Sequence, residues 1–195
     1  SRFYEGAGST LGLLPSSYRK GGAGATIAYA TARSPLGDLL VATTDRGVCA
    51  VSLGDSAAAL HTALRREFPA ATLVEDRTRL EPWLAQVIDH LAGSCPRLDL
   101  PLDIRATAFQ WQVWKALTAI PRGETRTYGE IAKLLGRPSA SRAVARACAS
   151  NRIAIAIPCH RVVPAGGGVG GYRWGIERKS RLLSNERGLK DPPPR

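Results

Sequence analysis

The sequence predicts an α/β N-terminal domain followed by a mostly α-helical domain of the winged helix-turn-helix kind. Short β-branched segments separated by turn residues fill the first half, whereas apolar residues recur at helical spacing in the second. The excess of basic residues is also confined to the second half. We therefore predict four segments: a linker or remnant over residues 1–24, the α/β domain over 25–100, the helix-turn-helix domain over 101–188 and a disordered tail over 189–195.

The α/β domain is predicted to begin with three antiparallel strands. The first starts at Thr26, and two further strand segments span residues 39–44 and 48–53. Turn signals separate them: Pro35-Leu36-Gly37 and Asp45-Arg46-Gly47. Two stretches with apolar residues at helical spacing complete the domain: 57–68 and 80–91.

The second domain is predicted to open with an amphipathic helix and to continue with two short helices. Its first apolar residues repeat every three or four positions: Phe109, Val113, Leu117 and Ile120. Thr127 followed three residues later by Glu130 predicts a capping box that begins the next helix, which Gly136 ends. Ser139 is predicted to cap the third helix. Two short helices joined by a tight turn are typical of a helix-turn-helix.

The third of these helices is predicted to bury one face and to expose Arg142 and Arg146 on another. The predicted buried face comprises Ala143, Val144, Ala147 and Cys148. Beyond it, the apolar run 153–157 is expected to be buried, and the glycines between 166 and 171 predict a flexible, wing-like loop. A last helix is predicted over about 176–185.

The net positive charge is concentrated in one segment. Between Arg105 and Arg187 the chain carries 15 Lys and Arg residues against 4 Asp and Glu residues, and the remainder carries 12 of each. A basic segment of this kind favours a polyanionic partner such as DNA, because neutralising phosphates releases condensed counterions. The alternative is an ordinary solvated surface rich in arginine, and charge alone does not decide between the two.

Composition also restricts where we expect the protein to act. No run approaches the roughly 18 apolar residues of a membrane span, and no charged leader precedes an apolar stretch. We therefore expect a cytoplasmic protein without membrane contact. The sequence contains no methionine, even at position 1, so we expect the chain to be part of a longer protein.

Three of the four cysteines, Cys49, Cys95 and Cys148, are interpreted as small buried hydrophobic residues. Their spacing, with only three histidines in the chain, does not predict a zinc site, and we predict no metal. Cys159 differs because His160 and Arg161 follow it directly. A thiol attacks only as its thiolate, which a neighbouring base or positive charge favours. Adjacency alone is weak evidence, since neighbouring side chains in a strand point to opposite faces.

The stretch Ile157-Pro158-Cys159-His160-Arg161-Val162-Val163 resembles the active-site signature of the O6-alkylguanine-DNA alkyltransferases. The resemblance extends over residues 25–188 and is closest to the C-terminal half of bacterial Ada-type adaptive-response proteins, including Tyr172-Arg173-Trp174-Gly175. Residues 1–22 resemble the end of the AraC-type domain that precedes this half. The resemblance implies a ribonuclease H-like first domain without its catalytic residues, followed by a DNA-binding domain.

The resemblance also implies roles for individual residues. Cys159 would accept the alkyl group, His160 would act as its base through a bridging water, and Glu186 would orient that histidine. Asn151 would tie together the turns between the recognition helix and the active-site segment, although a purely structural role is equally open. Read without the family, Glu186 would be a surface carboxylate.

The same resemblance predicts how DNA is bound. Guanine O6 lies inside the duplex, so the target must be flipped out. Arg142 would fill the vacated base stack, and Tyr128 would help to rotate the target and donate a hydrogen bond. Without the family, these two would be a surface arginine and a half-buried tyrosine. Arg146 is also predicted to contact DNA. Small residues around Arg142 would let the recognition helix approach the minor groove closely: Ala140, Ser141, Ala143 and Ala145.

The substrate pocket is predicted to be formed by Pro158, Val162, Tyr172 and Arg173. Backbone groups near Val162 and Tyr172 are candidates, with Tyr128, to stabilise the departing guanine. Some relatives carry serine where this chain has Arg173. This larger, charged side chain is expected to contact phosphate, which leaves the preference among methyl and larger alkyl groups open.

The resemblance therefore implies a methylated-DNA–protein-cysteine S-methyltransferase. Each monomer would transfer one alkyl group irreversibly from O6-methylguanine, with O4-methylthymine as a further substrate, to Cys159 without a cofactor. The alternatives are a helix-turn-helix regulator without chemistry and an alkylation-damage sensor, but such sensors lack the acceptor cysteine. A thiol hydrolase is the least favoured hypothesis, since the pocket should exclude a hydrolytic water.

Overall fold

The computed structural model describes residues 21–95 and 97–188, which form two compact units. The first unit runs to Ile88 and includes Leu98–Arg105, and the second contains Asp89–Arg97 and the chain from Ala106 onward. The linker or AraC-type remnant predicted over residues 1–24 falls largely outside the described residues, as does the predicted tail. No helix in the described part combines the length and apolar character that a bilayer crossing requires.

The first unit contains a four-stranded sheet with the order β3-β2-β1-β4. Its strands are β1 (Thr26–Ser34), β2 (Gly37–Thr43), β3 (Val48–Gly54) and β4 (Thr72–Glu75). The first three pair antiparallel, as predicted, and β4 pairs parallel to β1. The sequence did not predict β4, because it has only four residues and none of them is buried.

Two helices follow in this part of the chain, α1 (Ala57–Glu67) and α2 (Arg77–Ala92), and α2 continues past Ile88 into the second unit. The side chain of Ser56 caps α1 by accepting a hydrogen bond from Ala59 N at 3.2 Å. Buried residues from α1 and the sheet form one apolar cluster, with members that include Ile27, Leu40, Cys49, Leu64 and Phe68. This packing confirms the predicted α/β unit and the interpretation of Cys49 as a buried hydrophobic residue.

The second unit is mostly helical. Its helices are α3 (Ala108–Thr118), α4 (Tyr128–Leu134), α5 (Ser141–Ala149) and α6 (Ile176–Gly188). Two short strands pair in parallel, β5 (Arg126–Thr127) between α3 and α4 and β6 (Val162–Val163) between α5 and α6. A 3₁₀ turn spans Cys159–Arg161, directly before β6. The final helix extends three residues past its predicted end, which places Glu186 within it.

Helix α4 begins and ends as its sequence predicts. The Thr127 hydroxyl accepts from Glu130 N at 3.1 Å, and the Glu130 carboxylate accepts from Thr127 N at 2.6 Å. Gly136 has a φ of 69°, which lets its N–H reach Lys133 O while the next N–H reaches Ala132 O, both at 2.9 Å. Both boundary predictions are confirmed.

The predicted start of α5 is wrong by one residue. Helix α5 begins at Ser141, and its N-terminal flanking residue, Ala140, makes no side-chain capping bond. Ala140 N instead donates to Arg137 O at 2.9 Å, so an additional turn precedes the helix. Ser139 lies in this turn and therefore does not cap α5.

Helix α5 packs through the predicted apolar face, with one exception. Val144, Ala147 and Cys148 are buried, whereas Ala143 is only half-buried. The indole N–H of Trp114 in α3 donates to Ala147 O at 2.9 Å, which fixes α5 against α3. The opposite face of α5 is left to solvent.

Candidate active site

Cys159 lies at the start of the 3₁₀ turn and is 5% exposed. Its N–H donates to Ile157 O at 2.8 Å, and Arg161 N donates to Pro158 O at 3.0 Å. A 3₁₀ helix has about three residues per turn, so successive side chains diverge by about 120°. The strand argument against Cys159 and His160 acting together therefore does not apply.

Asn151 connects the sulfur to the preceding segment. Its buried side-chain amide donates to Ile153 O at 3.2 Å, to Ile157 O at 2.9 Å and to Cys159 Sγ at 3.2 Å. Its amide oxygen accepts from Ile153 N at 2.9 Å. One side chain thus binds both ends of the 153–157 turn and the thiol that follows it.

The apolar run 153–157 is buried as predicted, apart from the half-buried Ala156, but it forms a turn. Ile157 N donates to Ile153 O at 3.2 Å, and Ile155 has a φ of 72°. A β-branched residue in this left-handed region is strained by about 1–3 kcal/mol, so the surrounding contacts must hold it there. The turn and Asn151 together give the thiol a fixed position.

His160 is paired with Glu186 of α6. The Nε2 atom of His160 lies 2.8 Å from Glu186 Oε1, and both side chains are buried. Hydrogen bonds from His160 and Arg161 outweigh burial and hold the pKa of Glu186 well below its usual range. An ionised carboxylate only accepts, so we assign the imidazole proton to Nε2. Nδ1 is then the basic nitrogen.

Arg161 also binds Glu186. Its Nε lies 3.0 Å from Oε2, one Nη lies 2.9 Å from Oε1, and the other Nη donates to Ile120 O at 2.7 Å. Gly123 N adds a longer bond to Oε2 at 3.3 Å. The Glu186 carboxylate is therefore held by His160, by Arg161 and by the chain segment after α3.

Lys179 is fully buried beneath the glycine-rich loop. Its ammonium group donates to Val162 O at 2.6 Å and to Gly171 O at 3.3 Å, and so it joins the two ends of the loop. Residues 164–175 form no helix or strand, as the glycines predicted. Gly170 has a φ of 71°, and a Cβ there would come 2.8 Å from Pro164, so this position requires glycine.

The thiol is neutral in the resting site. Burial raises the pKa of Cys159 above its ordinary value of 9.0, whereas the hydrogen bond from Asn151 and the charge of Lys179 act in the opposite direction. Burial also lowers the pKa of His160 below 6.5, against the attraction of Glu186. A neutral thiol and a neutral imidazole are the reactants that proton transfer requires.

Two tyrosines lie near the thiol. Tyr128 is the first residue of α4, and a Cβ at Gly170 would lie 3.7 Å from its hydroxyl. The hydroxyl of Tyr172 is buried, and its ring meets His160 edge-on at a centroid distance of 6.4 Å. Burial raises the pKa of both phenols, so both hydroxyls stay protonated and remain hydrogen-bond donors.

The predicted DNA-contacting residues cluster at the start of α5. Arg142 and Arg146 are exposed, as predicted, four residues apart on the helix. The small residues around them are half-buried: Ala140, Ser141, Ala143 and Ala145.

Of the predicted pocket residues, Pro158 and Val162 are buried, Tyr172 is half-buried and Arg173 is exposed. Val162 N–H donates to Cys159 O.

The sequence did not identify Lys179 as a site residue, and it indicated Arg161 only as a positive charge beside the thiol. A signal for Lys179 was present, because Lys179, Leu182, Leu183 and Glu186 are spaced as the buried face of one helix and all are buried. A lysine and a glutamate on an apolar face predict buried partners. No comparable signal predicts the contact of Arg161 with Glu186, since the two residues are 25 positions apart.

Two domain models of a single family match this chain. The model of the 6-O-methylguanine DNA methyltransferase DNA binding domain matches residues 108–188, and that of its ribonuclease-like domain matches residues 27–104. A methylated-DNA–protein-cysteine methyltransferase of Methanosarcina acetivorans is 40% identical over 158 residues, 81% of this chain and 97% of that protein. The chain belongs to the 6-O-methylguanine DNA methyltransferase family. The predicted family and two-part fold class are thereby confirmed.

Within this family the chain is also similar to longer proteins. The bifunctional transcriptional activator/DNA repair enzyme Ada of Escherichia coli K12 is 47% identical over 186 residues, 95% of this chain but 52% of Ada. The regulatory protein ada of Salmonella typhimurium LT2 is 45% identical and is covered to 53%. The chain thus spans about half the length of these two relatives.

Solved structures of the family share the fold. The O6-methylguanine methyltransferase of Mycobacterium tuberculosis matches with a TM-score of 0.71 and 37% identity, over 86% of this chain and 96% of that one. The same organism's OGT in complex with DNA matches with a TM-score of 0.68 and 38% identity, over 84% and 94%.

Proposed function

We propose that this methyltransferase-family protein repairs DNA by transferring an alkyl group from guanine O6 to the sulfur of Cys159. The observation that carries the proposal is the buried thiol, which accepts a hydrogen bond from Asn151 and directly precedes the His160–Glu186 pair. This arrangement holds a nucleophile, a base and a group that orients the base. Family membership supports the same chemistry.

The thiol proton is proposed to pass to Nδ1 of His160 through a bridging water. Glu186 occupies Nε2, so Nδ1 is the nitrogen left to accept a proton. Once protonated, the imidazolium is stabilised by the adjacent carboxylate. Asn151 and the charge of Lys179 favour the thiolate as it forms.

The transfer is a single displacement at the alkyl carbon. The thiolate forms the carbon–sulfur bond as the bond from carbon to guanine O6 breaks, and the electron pair of that bond stays on guanine. The proton that His160 took from the thiol then passes to the guanine anion, which balances the charge. The protonated hydroxyl of Tyr128 is a candidate to donate to the departing base. A thioether is a very poor leaving group, so each chain reacts once.

Duplex DNA is proposed to bind along α4 and α5, with the protein acting as a monomer. The exposed Arg142 would fill the space of the flipped nucleotide, while the small residues around it would allow close approach to the minor groove. Arg146 would add attraction for the phosphates. The basic character of residues 105–187 supports this choice of face.

The substrate range is proposed to include O6-methylguanine and, as a further substrate, O4-methylthymine. Pro158, Val162 and Tyr172 would line the pocket. Arg173 is exposed, which fits a contact with phosphate better than a contact with the base. The N–H of Val162 already donates to Cys159 O, which favours Tyr128 and Tyr172 as donors to guanine.

The test is incubation with a duplex that carries one O6-methylguanine, followed by nucleoside analysis of the DNA. Repair by this route converts O6-methylguanine to guanine in an amount equal to the protein consumed. The Cys159→Ala variant should bind the same duplex and convert none. Binding by the wild type without loss of O6-methylguanine would instead indicate a damage sensor or a regulator.

A further inference from the structure

The Glu186 carboxylate lies in an unusually donor-rich position. It accepts from His160 Nε2 at 2.8 Å, from Arg161 at 2.9 and 3.0 Å, and from Gly123 N at 3.3 Å. Arg161 approaches with two different nitrogens, the geometry of a bidentate arginine–carboxylate pair. Its remaining Nη donates to Ile120 O at 2.7 Å, which fixes the guanidinium itself.

A buried carboxylate beside an imidazole has two opposite effects. It orients the ring, but it also attracts a proton onto that ring and so favours imidazolium. An imidazolium has no lone pair with which to accept the thiol proton. A cation bound to the carboxylate can offset its charge and favour the neutral imidazole, while the carboxylate still orients the ring.

Arg161 is that cation. The pKa of His160 is lowered mainly by burial and raised by Glu186, and the charges of Arg161 and Lys179 lower it again. The charged and titratable groups around the imidazole include Cys159 and Arg161 of the 3₁₀ turn, Lys179 and Glu186 of α6, and Tyr172 of the loop before α6. His90 of α2 lies within electrostatic range of Arg161 and Glu186. Among these, only Arg161 contacts Glu186 directly.

We propose that Arg161 is a positioning residue for alkyl transfer, which clamps Glu186 against His160 and keeps the imidazole neutral so that Nδ1 can take the thiol proton. This inference rests on the proposed function. It assigns to the arginine of the active-site stretch a task different from direct activation of the thiol. The guanidinium is bound to Glu186 and to Ile120 O, and its charge acts through the histidine.

The test compares Arg161→Met, which removes the charge, with Arg161→Lys, which restores it without the bidentate geometry. Single-turnover transfer from a methylated duplex is measured between pH 5 and pH 9. Removal of Arg161 removes a charge that lowers the pKa of His160, so that pKa rises and the base is protonated up to a higher pH. We expect the acid limb of the Met profile to move up by about one unit or more, so that the rate at a given pH on that limb falls roughly tenfold or more. The Lys profile should lie between the Met and wild-type profiles.

The matched control is Arg122→Met, because Arg122 is another buried arginine of the same unit and binds His90 O instead of Glu186. Its removal should leave the acid limb in place. NMR titration of the His160 ring in each variant measures the same shift without catalysis. If Arg161→Met does not fold, the Arg161→Lys profile and its NMR titration decide the question.

An acid limb that is identical in all Arg161 variants, with rates lowered equally at every pH, would overturn the inference and leave Arg161 a purely structural role. An unchanged rate in Arg161→Met would overturn it as well. Failure of the proposed function is a separate outcome, because the wild-type protein would then form no adduct on Cys159 at any pH.

Discussion

The side-chain amide of Asn151 donates a hydrogen bond to the sulfur of Cys159 across 3.2 Å. The same amide also donates to the carbonyls of Ile153 and Ile157, at the two ends of the strained turn that precedes the thiol. A hydrogen bond to sulfur favours the thiolate, whereas burial opposes it and raises the pKa of Cys159. The reactivity of the thiol should therefore depend on the donor at position 151.

We predict that Asn151→Asp slows repair at neutral pH roughly tenfold or more. The aspartate can still accept from Ile153 N, but it cannot donate to sulfur and it adds a negative charge beside the thiol. The pKa of Cys159 should rise further, so reaction with iodoacetamide should require a higher pH than in the wild type. Iodoacetamide rates across a pH series, measured with repair rates, test the prediction.

Asn185→Asp is the matched control, because this substitution makes the same change of charge at an exposed residue of α6. It should leave both rates near the wild-type values. Equal slowing in the two variants would show that overall charge, and not the bond to sulfur, controls the thiol.

A second prediction concerns Gly123, which has a φ of 78° and lies against the backbone of Glu186. An added Cβ would come 2.9 Å from Glu186 O, so Gly123→Ala should displace the carboxylate that orients His160. We expect unfolding in urea to show a loss of about 1–3 kcal/mol and the repair rate to fall as well.

Gly136→Ala separates these two effects. Gly136 has a similar φ of 69°, but an added Cβ would meet no atom within 4 Å. This variant should lose about 1–2 kcal/mol of stability to backbone strain and keep its repair rate. Similar losses of rate in both variants would contradict a specific contact between Gly123 and Glu186.

Some features of the fold and of the site could be predicted from the sequence alone, and others could not. The capping box of Thr127 and Glu130 joins residues three apart, so local chemistry was sufficient to predict it. The failure at Ser139 is also local, because the turn at Arg137–Ala140 includes both the expected cap, Ser139, and the expected first helical residue, Ala140. The pairing of Glu186 with His160 joins residues 26 apart, and the residue pattern alone favoured a surface carboxylate.

The family resemblance supplied the pairing that the pattern could not. It did not supply the orientation of Arg161, which the residues alone suggested as a positive charge beside the thiol. Only the structure shows that this guanidinium donates to the Glu186 carboxylate and to Ile120 O. Strand β4 was not predicted for a different reason. It pairs with β1, but it has only four residues and none of them is buried, so its sequence shows no clear strand pattern.

Arg142 is predicted to act on the duplex and not on the chemistry. It is exposed on α5, which fits insertion into the base stack in place of a flipped nucleotide. Arg142→Ala should slow repair of O6-methylguanine in duplex DNA far more than transfer from free O6-benzylguanine, provided that this compound enters the pocket. Equal losses on both substrates would assign Arg142 to the chemistry or to the fold.

DNA binding is predicted to weaken steeply with salt, because the net positive charge lies within residues 105–187. The logarithm of the binding constant should fall linearly with the logarithm of salt concentration. Arg146→Ala should reduce that slope by about 1, the value for one lost phosphate contact. Arg66→Ala, an exposed helical arginine of the first unit, should leave the slope unchanged. The reverse pattern would place the DNA on the other unit.

The most direct test of the account is the stoichiometry of transfer to Cys159. The protein is incubated with an excess of duplex that carries O6-methylguanine, and its intact mass and peptide masses are then measured. We predict a gain of one methyl group per chain, located on Cys159, and a reaction that stops when every chain is modified. Multiple turnovers per chain, or a methyl group on Cys49, Cys95 or Cys148 instead, would contradict the account.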